Sequence, residues 1–254
     1  MSQVITVRGP ISPEELGITM CHTHVLLNLM TLFVMPEEAS RIALAESPVT
    51  MENLGAVRRD VIAVRDNLLL GDVDTAVSEL TQYKMMGGNS VVEVSARGIG
   101  RDPVGLLKVS NATGLNIICC TGFYIGASHP PVVAQYSQSE LYTLMLDELT
   151  KGIGTTQIRA GIIKAAMGTT DGGPFASEDE EKVFRAAIQA QVETGAAFEI
   201  HPARPYTDRH WDTYFDIIEK EGGNLEKVIA CHMEFWSQDV EYQKSLLDRG
   251  VTAS

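Results

Sequence analysis

At 254 residues and 44% hydrophobic side chains, the chain can bury a sizeable core, and one parallel α/β barrel of about 250 residues fits that length. Twenty basic against 33 acidic residues leave a formal net charge of −13 with no Lys/Arg cluster or aromatic-basic stripe, which argues against nucleic acid as a partner. The four cysteines form no C-x-x-C pair, the N-terminus has no apolar signal region and no run approaches a membrane span, so the expectation is a cytoplasmic protein with reduced thiols and no membrane partner.

The first apolar run, Ile18-Thr-Met-Cys-His-Thr-His-Val25, reads as a strand, and alternation then points His22 and His24 to the same face. Residues 30–70 break the period that follows; the stretch is too long for an ordinary βα loop and is partly helical around Leu54 to Val64, so it is expected as an insert over the carboxyl face. From Asp72, which can cap a helix carrying Val73, Val77 and Leu80, helices alternate with short apolar runs, the pattern of β/α units around a parallel sheet. Gly87-Gly88 ends that helix before the strand Ser90 to Ser95, and Asp102-Pro103 starts the next one before the strand Leu115 to Thr121.

A helix over roughly 138–150 precedes the strand Ile158 to Lys164. Ser177 with Glu180 forms a capping box for a helix stopped by Gly195, and the strand Ala196 to His201 follows. A helix near 209–221, the strand Lys227 to His232 and a helix near 238–248 complete six strands, with a seventh beginning at Gly250 to Ser254.

Lys164, His201 and His232 each close an apolar run, so with His22 and His24 they gather at one mouth of a parallel barrel. Isolated strand histidines are usually packed and hydrogen-bonded; here the shared parity and the downstream partners favour a metal, which neutral imidazoles bind. Glu199, two residues before His201, faces the same interior one layer lower and needs a partner, either a metal ligand or Lys164, with an interior arginine such as Arg159 as the alternative. Glu93 reads as structural. His129, before Pro130-Pro131, reads as a loop residue, and His210, beside Trp211, as a surface or capping residue.

With these residues assembled, the chain resembles the phosphotriesterase family of the amidohydrolase superfamily. The resemblance runs nearly end to end through Arg8-Gly-Pro-Ile11, Glu15-Leu-Gly17, the H-x-H, Gly98 to Asp102, Thr121-Gly-Phe-Tyr124, Ile158 to Lys164 and Glu193-Thr-Gly195. The insert and the His201-Pro-Ala-Arg204 turn are closer to the phosphotriesterase-related branch, where hydrolysis of taurine amides is known.

The resemblance implies one (β/α)8 TIM-barrel domain over 1–254, holding two divalent metal ions, usually zinc, bridged by an N-carboxylated lysine and a hydroxide. His22 and His24 match ligands of the first metal, Lys164 the carboxylated bridge, and His201 with His232 the second. Tyr124 resembles the tyrosine that lactonase members place beside the substrate carbonyl. The implied activity is hydrolysis of an ester, lactone, amide or phosphotriester bond in a small-molecule substrate, and a homodimer is the assembly such barrels allow.

The family pattern has one further ligand, an aspartate ending strand eight, whereas about six and a half strands are counted here. The expectation is therefore a C-terminally truncated member lacking the last βα units. The rival reading is a non-catalytic paralogue or fragment retaining a partial metal site.

Overall fold

Seven parallel strands lie side by side in chain order in the computed structural model, which describes residues 3–206 and 209–254. They are β1 (Thr19–Thr23), β2 (Ser90–Glu93), β3 (Asn116–Gly122), β4 (Ile162–Ala166), β5 (Ala197–His201), β6 (Val228–Ala230) and β7 (Thr252–Ala253). Between them run the principal helices α1 (Val73–Met85), α2 (Pro103–Thr113), α3 (Gln138–Thr150), α4 (Glu178–Thr194), α5 (His210–Lys220) and α6 (Val240–Leu247). A sheet whose order equals its chain order is what successive β/α crossovers build. It curls strongly enough to bring the two ends together: Cys21 Sγ of β1 lies 4.0 Å from Ser254 Oγ beyond β7.

The local signals explain the elements. Asp72 accepts the Thr75 N–H at the start of α1, and Asp102 accepts that of Gly105 ahead of Pro103 in α2. Gly114 and Gly195 end α2 and α4 in the left-handed conformation that spares a glycine any Cβ clash. The buried strands β3 and β4 read as continuous apolar runs because helices cover one face and the barrel interior the other.

The expected capping box on α4 forms only in part. Ser177 Oγ accepts the Glu180 N–H, but the buried Glu180 carboxylate turns away and accepts N–H groups of Gly126, Gly168 and Ala176 at 2.7, 3.0 and 2.9 Å. One side chain thus ties the loop after β3 to the loop after β4, satisfying backbone donors that would otherwise be buried unpaired.

Two boundaries differ from expectation. Ile158 to Gly161 stays outside β4, since Ala160 N–H donates to Glu148 O and a Cβ on Gly161 would lie 2.2 Å from Ile5 O. Lys164 is therefore the middle residue of its strand, followed by Ala165 and Ala166. β6 stops at Ala230, leaving His232 just beyond it with φ 62°.

Parity divides each strand between two environments. Ile117, Cys119, Ile163 and Phe198 join the large core under the helices, while Ile118, Cys120 and Ile162 pack inside the barrel with Ala197 and Ile229 against them. Continuing the interior columns towards the carboxyl ends replaces these apolar residues with Lys164, Glu199 and Cys231. The 30–70 segment is closed at its base by antiparallel pairing of Leu27–Asn28 with Leu69–Leu70 and contains short helices Ala39–Ala45 and Leu54–Arg59.

The strand junction at Gly122 is a close approach. Its φ is 100° and a Cβ would lie 2.0 Å from Lys164 O. Gly122→Ala is expected to lower unfolding free energy by about 2–5 kcal/mol, adding left-handed strain to overpacking. A denaturant midpoint equal to that of the parent protein would refute it.

Candidate metal centre

The carboxyl end of the curled sheet gathers the side chains expected there. His22 and His24 leave β1 just where a bulge between Met20 and Thr23 shifts its pairing with β2, a device that re-aims side chains. Their ring centroids are 5.6 Å apart. His22 lies 5.6 Å from His232 across the barrel, and His232 lies 4.6 Å from His201 at the end of β5.

Lys164 and Glu199 are register partners on β4 and β5, so their side chains meet, with Nζ 2.8 Å from Oε1. The same carboxylate oxygen is 2.7 Å from His22 Nδ1 and accepts from Cys231 Sγ at 3.0 Å. Cys231 Sγ is also 3.4 Å from both Lys164 Nζ and His22 Nδ1.

The imidazoles share a pattern of engagement. Nδ1 of His22 faces Glu199, Nδ1 of His24 is 3.0 Å from Ser95 Oγ, and Nδ1 of His232 is 3.3 Å from Glu234 Oε1. A neutral imidazole facing a carboxylate through Nδ1 must carry its proton there, which leaves the Nε2 lone pair for another partner. Metal-binding histidines are held in this way.

Electrostatics favour the neutral form of His24, His201 and His232. Burial, then the basic neighbours His22 and Lys164, pushes His24 down to about 4; burial and Lys164 hold His201 well below its ordinary value, and burial lowers His232. Burial pushes the Glu199 carboxyl up, but Lys164 and His22 outweigh it and hold the group at about 2. Burial disfavours the Lys164 ammonium, and Cys231 and Glu199 reverse that, so the amine holds its proton more firmly than usual.

The residues fit a divalent cation. Three rings present an Nε2 uncommitted to their Nδ1 partners, and Glu199 Oε2 is buried with no hydrogen-bond partner among the described residues. Ligand atoms of His22, Glu199 and Cys231 also lie within 4.8 Å of one another. Imidazole and carboxylate are ligands that zinc and its divalent neighbours accept.

Around this cluster, Tyr124 follows β3 with its ring 5.4 Å from His201, and burial raises its pKa, so the phenol keeps its proton. Glu93 lies on the helix side of β2 with Val91 and accepts the Val25 N–H at 3.3 Å, anchoring the chain after His24. Arg159 makes no ion pair with Glu199 among the described residues.

His129 Nε2 meets Tyr124 O at 2.9 Å, away from the cluster. His210 is buried rather than at the surface, packed 6.3 Å from the Tyr214 ring in the first turn of α5. Ser95, Cys231, Tyr206 and Arg204 were not singled out for this site from the sequence. Cys231 was legible as an interior strand-end position, whereas Ser95 shares the parity of Glu93 and meets His24 only because the chain leaves β2 at Glu93, and Tyr206 depends on how the loop after β5 folds back, with its OH 3.5 Å from His201 Nε2.

Comparison with known proteins follows the same lines. The model of the phosphotriesterase family matches residues 2–253. An N-acetyltaurine hydrolase from Xenopus tropicalis is 33% identical over 236 residues, covering 91% of this chain and 65% of that protein. A phosphotriesterase-related protein from Nematostella vectensis is 31% identical over 232 residues, covering 90% and 65%. The chain thus spans 65% of the length of these curated relatives. The crystal structure of a resiniferatoxin-binding protein from Rhodobacter sphaeroides superposes with a TM-score of 0.92 at 33% identity, over 99% of this chain and 68% of that one.

Proposed function

Because the chain belongs to the phosphotriesterase family, we propose that it is a metal-dependent hydrolase of a small-molecule substrate, with an N-acyl amide as the favoured scissile bond and ester, lactone and phosphotriester bonds as the wider class. The observation that carries this is the convergence of His22, His24, His201 and His232 on Lys164, with Nδ1 of three rings already engaged. The amide preference rests on relatives named N-acetyltaurine hydrolase.

In this reading His22 and His24 would hold one cation and His201 and His232 a second, and Lys164, once N-carboxylated, would supply an anionic oxygen ligand to the pair. Two such cations, zinc by preference, would lower the pKa of water towards neutrality, giving a hydroxide nucleophile, and polarise the scissile carbonyl. The chain's own residues set the rest. Glu199 orients His22 and Lys164, Ser95 orients His24, and Glu234 orients His232. The protonated Tyr124 phenol, beside His201, is placed to donate to the substrate oxygen. Lys164 must lose its proton before its amine can add carbon dioxide, and Glu199 opposes that loss.

The 30–70 segment forms one wall of the mouth in this proposal, supported by Thr31 Oγ1 donating to Ala127 O at 2.7 Å in the loop after β3. On this proposal the protein is a single hydrolase domain acting in the cytoplasm. No helix among the described residues is long and apolar enough to cross a membrane.

The test is metal content with chelation. Protein produced with zinc and bicarbonate is expected to hold about two ions per chain, and exhaustive chelation is expected to abolish N-acetyltaurine hydrolysis until zinc, manganese or cobalt is returned. Turnover that survives complete chelation would overturn the proposal. A second reading, a binding protein with a partial metal site, is favoured by the similar structure of a protein named for ligand binding. It predicts metal uptake without turnover on any of these bonds.

A further inference from the structure

Arg204 stands on the rim between the loops that follow β4 and β5. Its backbone is fixed there: its N–H donates to Gly168 O at 3.1 Å, and its carbonyl accepts the Thr170 N–H at 2.8 Å. Its side chain is fixed by aromatic neighbours. Nε donates to Tyr206 OH at 3.1 Å, the guanidinium lies 5.4 Å over the Tyr206 ring, and that ring stacks on Phe235 at 3.9 Å. Tyr206 OH in turn lies 3.5 Å from His201 Nε2, so one phenol separates the guanidinium from the imidazole cluster.

Among the described residues, no carboxylate pairs with the charge of Arg204. The titratable groups that act on it are the phenols of Tyr206 and Tyr124. Among the described residues one of the five guanidinium donors is engaged, and the terminal fork is of the kind that grips planar or tetrahedral oxyanions through two parallel bonds. A protein of net charge −13 repels anions at long range, so an anionic substrate needs a local cation at the mouth.

We propose that Arg204 is the specificity-determining residue that binds the anionic end of the substrate, making this protein selective for N-acyl amines that carry a sulfonate or carboxylate. The assignment deepens the amide-hydrolase reading and rests on it for the scissile bond. The amide faces the imidazole cluster and Tyr124, while the oxyanion reaches outward past Tyr206 to the guanidinium. Tyr206 adds a hydroxyl beside the anion and holds the fork in place.

The experiment compares metal-loaded parent protein with Arg204→Gln and Arg204→Lys on three amides: N-acetyltaurine, N-acetyl-β-alanine and the uncharged N-ethylacetamide. In the parent protein kcat/KM is expected to favour the anionic amides, and Arg204→Gln is expected to shrink that preference at least about tenfold, chiefly through KM. Arg204→Lys keeps the charge without the fork and should fall between the two. The stronger of the two anionic amides identifies sulfonate or carboxylate as the ligand. An unchanged preference in Arg204→Gln overturns the assignment. If the parent protein cleaves none of the three, the hydrolase reading fails, and equilibrium binding of N-acetyltaurine then decides for Arg204. Binding weakened tenfold by Arg204→Gln upholds its role; equal binding, or none to the parent protein, overturns it.

Discussion

Alanine in place of His24, or of Lys164, is expected to lower kcat/KM for amide hydrolysis by at least about a thousandfold, because each variant removes a ligand on which the proposed cation pair depends. Three decades correspond to about 4 kcal/mol, the several kcal/mol of transition-state charge stabilisation that a bound cation supplies. His24 is a good position for the test. It is held by Ser95, its pKa is about 4, and it is therefore neutral across the range in which the enzyme would be assayed.

Lys164 tests a different feature. It is fully buried and sits between Glu199 and Cys231, where a lysine with only a packing role would be hard to account for. Metal content measured alongside activity separates the two causes of failure: loss of activity with loss of metal assigns a ligand. Normal turnover in either variant would remove the metal-hydrolase assignment.

The second large effect is on stability and does not depend on any metal. Glu148→Leu is expected to destabilise the fold by about 3–5 kcal/mol, lowering Tm by roughly 6–20 °C for a chain of this size. Glu148, on α3, accepts two bonds from Arg101 at 2.6 and 2.8 Å, one from Arg97 at 2.6 Å and one from Thr121 Oγ1 at 2.6 Å. The Arg101 and Glu148 side chains are only 5% and 4% exposed, so removing the carboxylate strands a buried guanidinium.

Burial pushes the Glu148 carboxyl up, and Arg101, Thr121 and Arg97 together bring it below its ordinary value, as expected of a group doing structural ion-pair work. Replacing both partners, Glu148→Leu with Arg101→Met, should recover much of the loss, since apolar isosteres of a buried pair cost little. A single-variant Tm within about 2 °C of the parent, well below the shift a lost buried partner brings, would show that water compensates the guanidinium.

Much of this architecture is legible before any coordinates. Helix ends were readable because capping is local chemistry: Asp72, Asp102 and Ser177 accept the N–H groups three residues on, and Gly195 takes the left-handed turn. Strand identities were readable because apolar runs of this length between amphipathic helices suit a buried parallel sheet. The second half of the α4 capping box was not, because the Glu180 carboxylate finds three N–H groups from two other loops, and no local pattern reports them. His210 was misread for a similar reason, since exposure depends on what packs over the first turn of α5.

By itself the sequence determined the periodicities, the caps and the shared parity of His22 with His24, since each follows from backbone geometry over a few residues. It also carried the family pattern. Only the tertiary structure decided which groups meet: the register that sets Lys164 against Glu199, the curl that brings His232 beside His22, the intrusion of Cys231, and the fold-back that stands Arg204 next to Tyr206. These contacts join residues far apart in the chain, and they are fixed by strand register and sheet curvature, which emerge when all the strands pack together and which no short window of sequence encodes.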